Sequence, residues 1–164
     1  MKLSFSKKLT GAALALGLSF SAAAVPMSTV GSVDTLMGSM FLSDSSIASE
    51  NTFIQGILGN GYTLTGKFEG LMTGDWESVD GDPDGYALNF AEMSCTTGSC
   101  TTTPAYYVVK LGVGGSPEGT ADTYLFENLP SMAWAYVQLG QFADVVGMNI
   151  GRVSHISVGN RTCQ

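Results

Sequence analysis

The chain has 164 residues, of which seven are Lys or Arg and fourteen are Asp or Glu, so its formal net charge at neutral pH is −7. Since no cluster of basic residues offsets this charge, the composition disfavours binding to nucleic acid and to anionic lipid headgroups. Its many Gly, Ser, Thr and aromatic residues favour strands joined by tight turns over a helical bundle.

The first 24 residues have the pattern of a secretory signal peptide. Three lysines and no acid occupy the first eight positions, residues 9–20 are apolar, and residues 21–24 are small. The apolar stretch is short for a membrane span, and small residues end it as a signal peptidase requires. We therefore predict cleavage between Ala24 and Val25; the alternative is an uncleaved N-terminal anchor.

The predicted mature chain, residues 25–164, is a single secreted β-domain with one hydrophobic core. Cleavage removes 24 of the 164 residues and takes three lysines but no acid, so four basic residues then face fourteen acids, a net charge of −10. No apolar run of this part approaches membrane-spanning length. We expect a secreted product, periplasmic or extracellular, with no transmembrane segment.

Segments of strand type follow one another along this domain and are separated by turn signals. One helix is expected at residues 47–58, with Ser46 as its cap and Gly59 as its stop. The predicted strands are residues 35–42, 62–68, 86–93, 105–111, 123–126, 132–139 and 153–158. Because no βαβ alternation is present, the predicted fold class is mainly β: an antiparallel β-sandwich or barrel, jelly-roll-like, with one short helix.

Cys95 and Cys100 are predicted to form a disulfide bond across the Gly-containing loop between them, since the chain enters an oxidising compartment. No second cysteine pair or histidine lies close by in sequence, so zinc binding is not expected. Cys163 is left over, and three alternatives stay open. It cross-links two chains, bonds one of the other two cysteines, or remains a free thiol.

An acidic loop carries the sharpest local signal for a ligand. Asp80, Asp82 and Asp84 alternate with Gly and Pro, a spacing that lets a tight loop wrap carboxylate oxygens around one hard cation. Asp75 and Glu77, just upstream, could complete the coordination shell. The loop therefore predicts a Ca²⁺ site of modest affinity; the alternative is a solvated acidic turn.

Two sets of residues are candidates for catalysis. His155 is the only histidine, and as a general base it would need a hydrogen bond to a nucleophile such as Ser154 or Ser157. Ser154, its sequence neighbour, points to the opposite face of a strand, so a structural histidine is the better interpretation. Asp75 and Glu77 are two residues apart and would share a face if both lay on a strand, so they are candidates for the acid and base of a hydrolase.

Two further features have simple interpretations. Trp76 and Trp134 are expected in the core, as aromatic residues of small β-domains usually are, with stacking on sugar rings as the alternative. The glycine-rich loop at residues 112–115 has no following helix and no lysine beside the glycines, so it is not expected to bind phosphate.

Three segments of the second half carry a resemblance to a known family. Residues 106–112 read YYVVKLG, residues 122–126 read DTYLF, and residues 151–158 read GRVSHISV. Together they resemble the extracellular region of PEP-CTERM proteins, the exosortase substrates of Gram-negative bacteria. Family members carry a lysine-containing strand, an aromatic strand and a closing strand with a Ser-His-Ile-Ser core. The resemblance implies association with exopolysaccharide and biofilm matrix, and it implies no catalytic residues.

The chain departs from that family at its C-terminal end. Members end in a Pro-Glu-Pro motif, a membrane-spanning helix and a basic tail, whereas this sequence stops at Gln164. We therefore expect an unanchored relative that is released rather than sorted.

The sequence as a whole predicts a secreted, non-enzymatic protein of the extracellular matrix or cell surface, binding polysaccharide or copies of itself. The alternative is a secreted carbohydrate-active hydrolase. A module that polymerises through exposed strand edges is compatible with the first interpretation.

Overall fold

The computed structural model describes residues 23–112, 119–129 and 132–161. Most of the predicted signal peptide, most of the glycine-rich loop and Cys163 lie outside these ranges. Within them the chain forms two α-helices, α1 (Met27–Val30) and α2 (Ile47–Leu58), and nine strands. The strands are β1 (Thr35–Met40), β2 (Tyr62–Glu69), β3 (Glu77–Val79), β4 (Asp82–Asn89), β5 (Thr97–Gly98), β6 (Tyr106–Leu111), β7 (Thr123–Glu127), β8 (Trp134–Gln138) and β9 (Val153–Arg161).

The strands form two antiparallel sheets. The larger sheet has the order β1-β7-β6-β9-β2-β5, and the smaller has the order β3-β4-β8. In the described part of the chain neither sheet closes on itself, so the architecture is a sandwich and not a barrel. The predicted fold class, mainly β and antiparallel with one helix longer than a single turn, is confirmed.

The main core lies between the two sheets. Leu88 of β4 and Val137 of β8 belong to the same buried cluster as Val109 of β6 and Ile156 of β9. Large aromatic rings fill the space, and Tyr107 lies 5.6 Å from Phe90 and 5.4 Å from Phe126, measured between ring centres. Ring pairs at such separations contribute beyond the area they bury, so this layer holds the two sheets together.

Helix α2 covers the opposite face of the larger sheet. Ser46 caps its first turn by accepting a hydrogen bond from the backbone N–H of Ser49, as its sequence predicts. The apolar side of the helix, with Phe53 and Ile54 buried, packs on strand residues of β2, β6 and β7. These partners are Leu64, Val108 and Leu125.

Three elements were not predicted from the sequence, and one predicted strand has different bounds. The short strands β3 and β5 and the one-turn helix α1 were not expected, because each is too short for a periodic pattern. The strand predicted at residues 86–93 runs from Asp82 to Asn89 instead. It begins after a tight turn at Gly81, where φ is +81°, and it ends because the Asn89 side chain accepts a hydrogen bond from Ala91 N and starts a 3₁₀ turn. Among the described residues, no helix has the length and apolar composition that crossing a membrane requires.

Candidate functional site

Four buried polar side chains lie between α2 and the larger sheet, and we name them the Glu50 cluster: Glu50, Lys67, His155 and Ser157. None of the four is more than 3% exposed. Glu50 comes from α2 and Lys67 from β2, and β9 supplies the other two. Lys67 and Ser157 are paired in register on neighbouring strands, and His155 lies two residues from Ser157 and so on the same sheet face.

Both carboxylate oxygens of Glu50 are engaged. Its Oε1 lies 2.6 Å from His155 Nε2, and Ser157 Oγ donates a hydrogen bond to Oε2 at 2.5 Å. A carboxylate can only accept, so this geometry assigns a proton to Nε2 of the imidazole. Lys67 Nζ lies 3.4 Å from Glu50 Oε1 and 3.2 Å from His155 Nε2, and it also donates to the carbonyl oxygen of Ser45.

The partners of Glu50 decide its charge. Burial by itself would raise the pKa of the carboxyl group, because water is excluded from it. The hydrogen bonds from His155 and Ser157, together with the positive charges of His155 and Lys67, outweigh burial and lower the pKa below its ordinary value. Glu50 is therefore an ionised carboxylate at neutral pH, held inside the protein by its donors.

Within the Glu50 cluster, His155 is not placed as the general base of a serine. The hydroxyl of Ser157 donates to Glu50 and not to His155, and Ser154 is exposed on the other face of β9. A base that activates a serine must accept the proton from its hydroxyl. This arrangement agrees with the structural interpretation of His155.

A second buried lysine fixes the connection between β1 and α2. Lys110 Nζ donates to the carbonyl oxygen of Leu42 and to Asp122 Oδ2, both at 2.8 Å. Asp122 Oδ1 in turn accepts from the backbone N–H of Leu42 at 3.0 Å. Since Lys67 binds the carbonyl of Ser45, the two lysines hold this connection near both of its ends.

The segments that carry the resemblance supply most of these buried groups. Lys110 lies in the first segment, Asp122 in the second, and His155 and Ser157 in the third. In this structure their polar side chains bind the chain's own backbone and the carboxylate of Glu50. The residues of these three segments therefore position α2 and the connection between β1 and α2.

Asp34 is a third buried polar centre, which the sequence analysis did not identify. It is 1% exposed and accepts three hydrogen bonds, from Leu129 N, Tyr136 N and Tyr107 Oη, each between 2.7 and 2.8 Å. Burial raises the pKa of its carboxyl group from 3.8 to about 6, and the three hydrogen bonds lower it only in part. Asp34 joins the larger sheet at Tyr107 to the smaller sheet at Tyr136.

The predicted acidic loop falls on the β3–β4 hairpin, where Asp80 lies in the turn and Asp82 and Asp84 lie in β4. Asp82 Oδ2 accepts hydrogen bonds from Tyr136 Oη and Gln138 Nε2, both at 2.7 Å, and its Oδ1 accepts from Asp84 N at 3.2 Å. Partial burial raises the pKa of Asp82, but these hydrogen bonds outweigh it and lower the pKa below 3.8. Asp82 therefore has a structural role, tying the hairpin to β8.

Calcium binding at Asp80, Asp82 and Asp84 stays a prediction. Within the described ranges, no group of three or more His, Cys, Asp or Glu side chains is arranged to hold one metal ion. The upstream carboxylates Asp75 and Glu77 line one cleft. Asp80 and Asp82 line a different cleft, beside Ala24 and Ser78.

Asp75 and Glu77 line an acidic cleft together with Gly74 and Met93. Its volume is about 170 Å³, and Glu92 and Asn89 contribute further polar walls. Asp75 Oδ2 accepts from the backbone N–H of Met72 at 2.7 Å, and Glu92 accepts from Asn89 Nδ2 at 3.0 Å. Two of the three carboxylates thus already have local partners.

Both tryptophans pack against apolar residues. Trp76 is 6% exposed and belongs to the main core between the sheets. Trp134 is half-buried and packs against the smaller cluster that contains Val25 and Tyr136. The core interpretation of these rings agrees with their positions.

The predicted disulfide bond between Cys95 and Cys100 is present, with the two Cα atoms 5.7 Å apart. It closes the loop that contains β5 and places this two-residue strand beside β2. The Thr65 hydroxyl adds a hydrogen bond to the carbonyl of Ser99 at 2.7 Å.

Comparisons with protein-family models, with curated proteins and with solved structures gave no match to this chain.

Proposed function

We propose that this chain is an exported, non-enzymatic protein of the bacterial cell exterior, which acts in matrix or cell-surface association by binding polysaccharide or copies of itself. The observation that supports this most is the use of its buried polar groups. The Glu50 cluster, the Lys110–Asp122 pair and Asp34 all bind other parts of the same chain. The outer surface is then the part of the molecule that remains for function.

Export is supported by two features near the predicted cleavage point and in the disulfide loop. Ala23 and Ala24 are exposed, whereas Val25 is 6% exposed and its N–H donates to the carbonyl of Ser78 at 2.9 Å. A cut between Ala24 and Val25 would therefore leave Val25, the first buried residue of the described part of the chain, in the fold. A Cys95–Cys100 disulfide is consistent with an oxidising compartment. Intact-mass measurement of the exported protein tests the cut, and retention of residues 1–24 would overturn it.

The acidic surface suggests how the protein would associate with polymers outside the cell. With a net charge of −10 after cleavage, direct contact with acidic polysaccharide would be repulsive. Calcium bound at the Asp80–Asp84 hairpin would bridge the two, since hard cations prefer carboxylate oxygens. This part of the proposal requires that the hairpin bind Ca²⁺.

The experiment is a comparison of wild-type and gene-deletion cultures, fractionated into cells, matrix and medium. We expect the protein in the matrix or cell-surface fraction, and reduced matrix or attachment in the deletion strain. Purified protein should give no turnover on polysaccharides or glycosidic substrates. Unchanged matrix and attachment in the deletion strain would contradict the proposal.

A secreted hydrolase remains the second candidate, because the acidic cleft brings Asp75, Glu77 and Glu92 to one cavity. Two carboxyl groups on either side of a sugar can serve as acid and base. Turnover that disappears in Asp75→Asn and Glu77→Gln, in proteins with wild-type thermal unfolding, would establish this function in place of the first.

A further inference from the structure

Three of the four sheet edges formed by the described residues are short or covered. Strand β5 has two residues and is closed by the disulfide loop. The edge at β3 is covered by Val25, which bridges to Val79. The edge at β8 is covered by Asp34, whose N–H donates to Tyr136 O and whose Oδ2 accepts from Tyr136 N, both at 2.8 Å. Covering an edge in these ways prevents another chain from adding a strand there.

Strand β1 is the exception. It has six residues and pairs with β7 on one side, and no strand of the described ranges pairs with its other side. Met37, Met40 and Phe41 along this edge are 38%, 42% and 46% exposed. On the face covered by α2, the Ile57 side chain lies over Gly38, so close that a Cβ there would be 2.7 Å from Ile57 Cδ1. The open backbone edge is thus bordered by apolar side chains.

Charge indicates which partner this edge fits. Residues 35–43 contain no charged side chain, in a chain whose predicted mature form has a net charge of −10. A second copy of the same acidic protein would be repelled over most of its surface, but it can approach along this neutral strand. An edge strand is also self-complementary, because its free N–H and C=O groups match those of a second edge.

We propose that two copies of this protein associate through β1, antiparallel strand to strand across a two-fold axis. The proposal deepens the proposed function, on which it rests, by naming a second copy as the partner. Because each copy uses the same edge, the pair is closed, and the larger sheets join into one. Continuous fibres are not expected, since the opposite edge at β5 offers only two residues.

The contact should be weak. A β-bulge at Met37, between Leu36 and Gly38, interrupts the regular ladder of the strand. A short edge contact also buries less than the roughly 1,600 Å² of a standard stable interface. We expect a reversible dimer whose fraction rises with protein concentration through the micromolar range.

Sedimentation velocity of the purified mature chain, over a series of concentrations, tests the proposal. The double variant Met37→Lys/Met40→Lys places like charges at the edge of both copies and should abolish the dimer. Met72→Lys is the matched control, because Met72 is 72% exposed and lies outside β1. The control should dimerise as the wild type does, and at dilutions where all three proteins are monomeric they should unfold at the same temperature.

A second measurement does not depend on the variants. Backbone amides of β1 should exchange with deuterium more slowly at high than at low protein concentration, while exposed loop amides keep their rates. A wild-type chain that stays monomeric throughout, or a dimer that persists in the Met37→Lys/Met40→Lys protein, would overturn the inference. A monomer that still locates to the matrix would leave the proposed function standing, whereas a dimer without matrix or attachment phenotype would refute the proposed function alone.

Discussion

His155 Nε2 lies 2.6 Å from Glu50 Oε1, and this contact joins the last described strand to helix α2 across 105 positions of sequence. The carboxylate is fully buried, and its second oxygen is occupied by the Ser157 hydroxyl. A charged group with this burial is tolerated only while its partners are present. The stability of the fold should therefore be sensitive to this one side chain.

Replacing Glu50 with Gln should destabilise the protein by about 3–5 kcal/mol, because Lys67 is then left as a buried charge without its carboxylate. Urea unfolding at neutral pH measures the change. Asp144→Asn, which removes an exposed carboxylate, should change the free energy of unfolding by less than about 0.5 kcal/mol. Equal stability of the two variants would show that the Glu50 cluster contributes little.

Asp34 should make the stability fall with rising pH. The unfolded chain releases this proton near pH 3.8, and the folded chain releases it near pH 6. The raised pKa therefore stabilises the folded protein fully below about pH 4, and this stabilisation is lost as the pH rises through 6. A pKa difference of about two units between the folded and the unfolded chain corresponds to about 3 kcal/mol of unfolding free energy.

Asp34→Asn isolates this effect, because the other acidic groups titrate in both proteins. Its free energy of unfolding, subtracted from that of the wild type at each pH, should show a wild-type advantage that shrinks from pH 4 to pH 7. In an Asn side chain an NH₂ group, which cannot accept, replaces one of the two carboxylate oxygens. At least one of the three hydrogen bonds is therefore lost, and the variant should also be less stable at every pH. A difference that does not vary with pH would contradict the raised pKa.

The Cys95–Cys100 bond should contribute modestly to stability. It closes a loop of few residues, and a short loop restricts the unfolded chain less than a long one. Cys95→Ser/Cys100→Ser should lose about 2 kcal/mol of unfolding free energy and keep its circular dichroism spectrum. Complete loss of folding in the double variant would mean that β5 has a larger role in holding the sheet.

Calcium should raise the unfolding temperature of the wild type with increasing concentration if the hairpin binds it in the folded state alone. Asp80→Asn and Asp84→Asn are the informative variants, because Asp82 already supports Tyr136 and Gln138. Both should lose the response, and Asp144→Asn should keep it. An unfolding temperature that calcium leaves unchanged in the wild type would refute the site.

The sequence predicts those elements whose signals are local. The cap at Ser46 and the stop at Gly59 place α2 at residues 47–58, where the structure has it, and the apolar run places β6 within one residue. The Glu50 cluster has no such signal, because Lys67 and His155 lie 17 and 105 positions from Glu50. Their meeting depends on the order of the strands in the sheet, which no local pattern specifies.

For the same reason the sequence could not predict the roles of Asp34 and of Asp82 in the acidic hairpin. Asp34 is one acid among fourteen in the sequence, and its partner Tyr136 lies 102 positions away. Asp82 looks like a free loop carboxylate until β8 brings Tyr136 and Gln138 to it.

The most direct test of the central claim is the amount of extracellular matrix retained by a gene-deletion strain complemented with different forms of this chain. The account predicts that deletion reduces retained matrix, and that the wild type and Asp75→Asn/Glu77→Gln restore it equally. The double variant keeps the buried polar groups and removes the two candidate catalytic carboxylates. If it is secreted and folded but fails to restore the matrix, the protein acts through that cleft and the non-enzymatic account is contradicted.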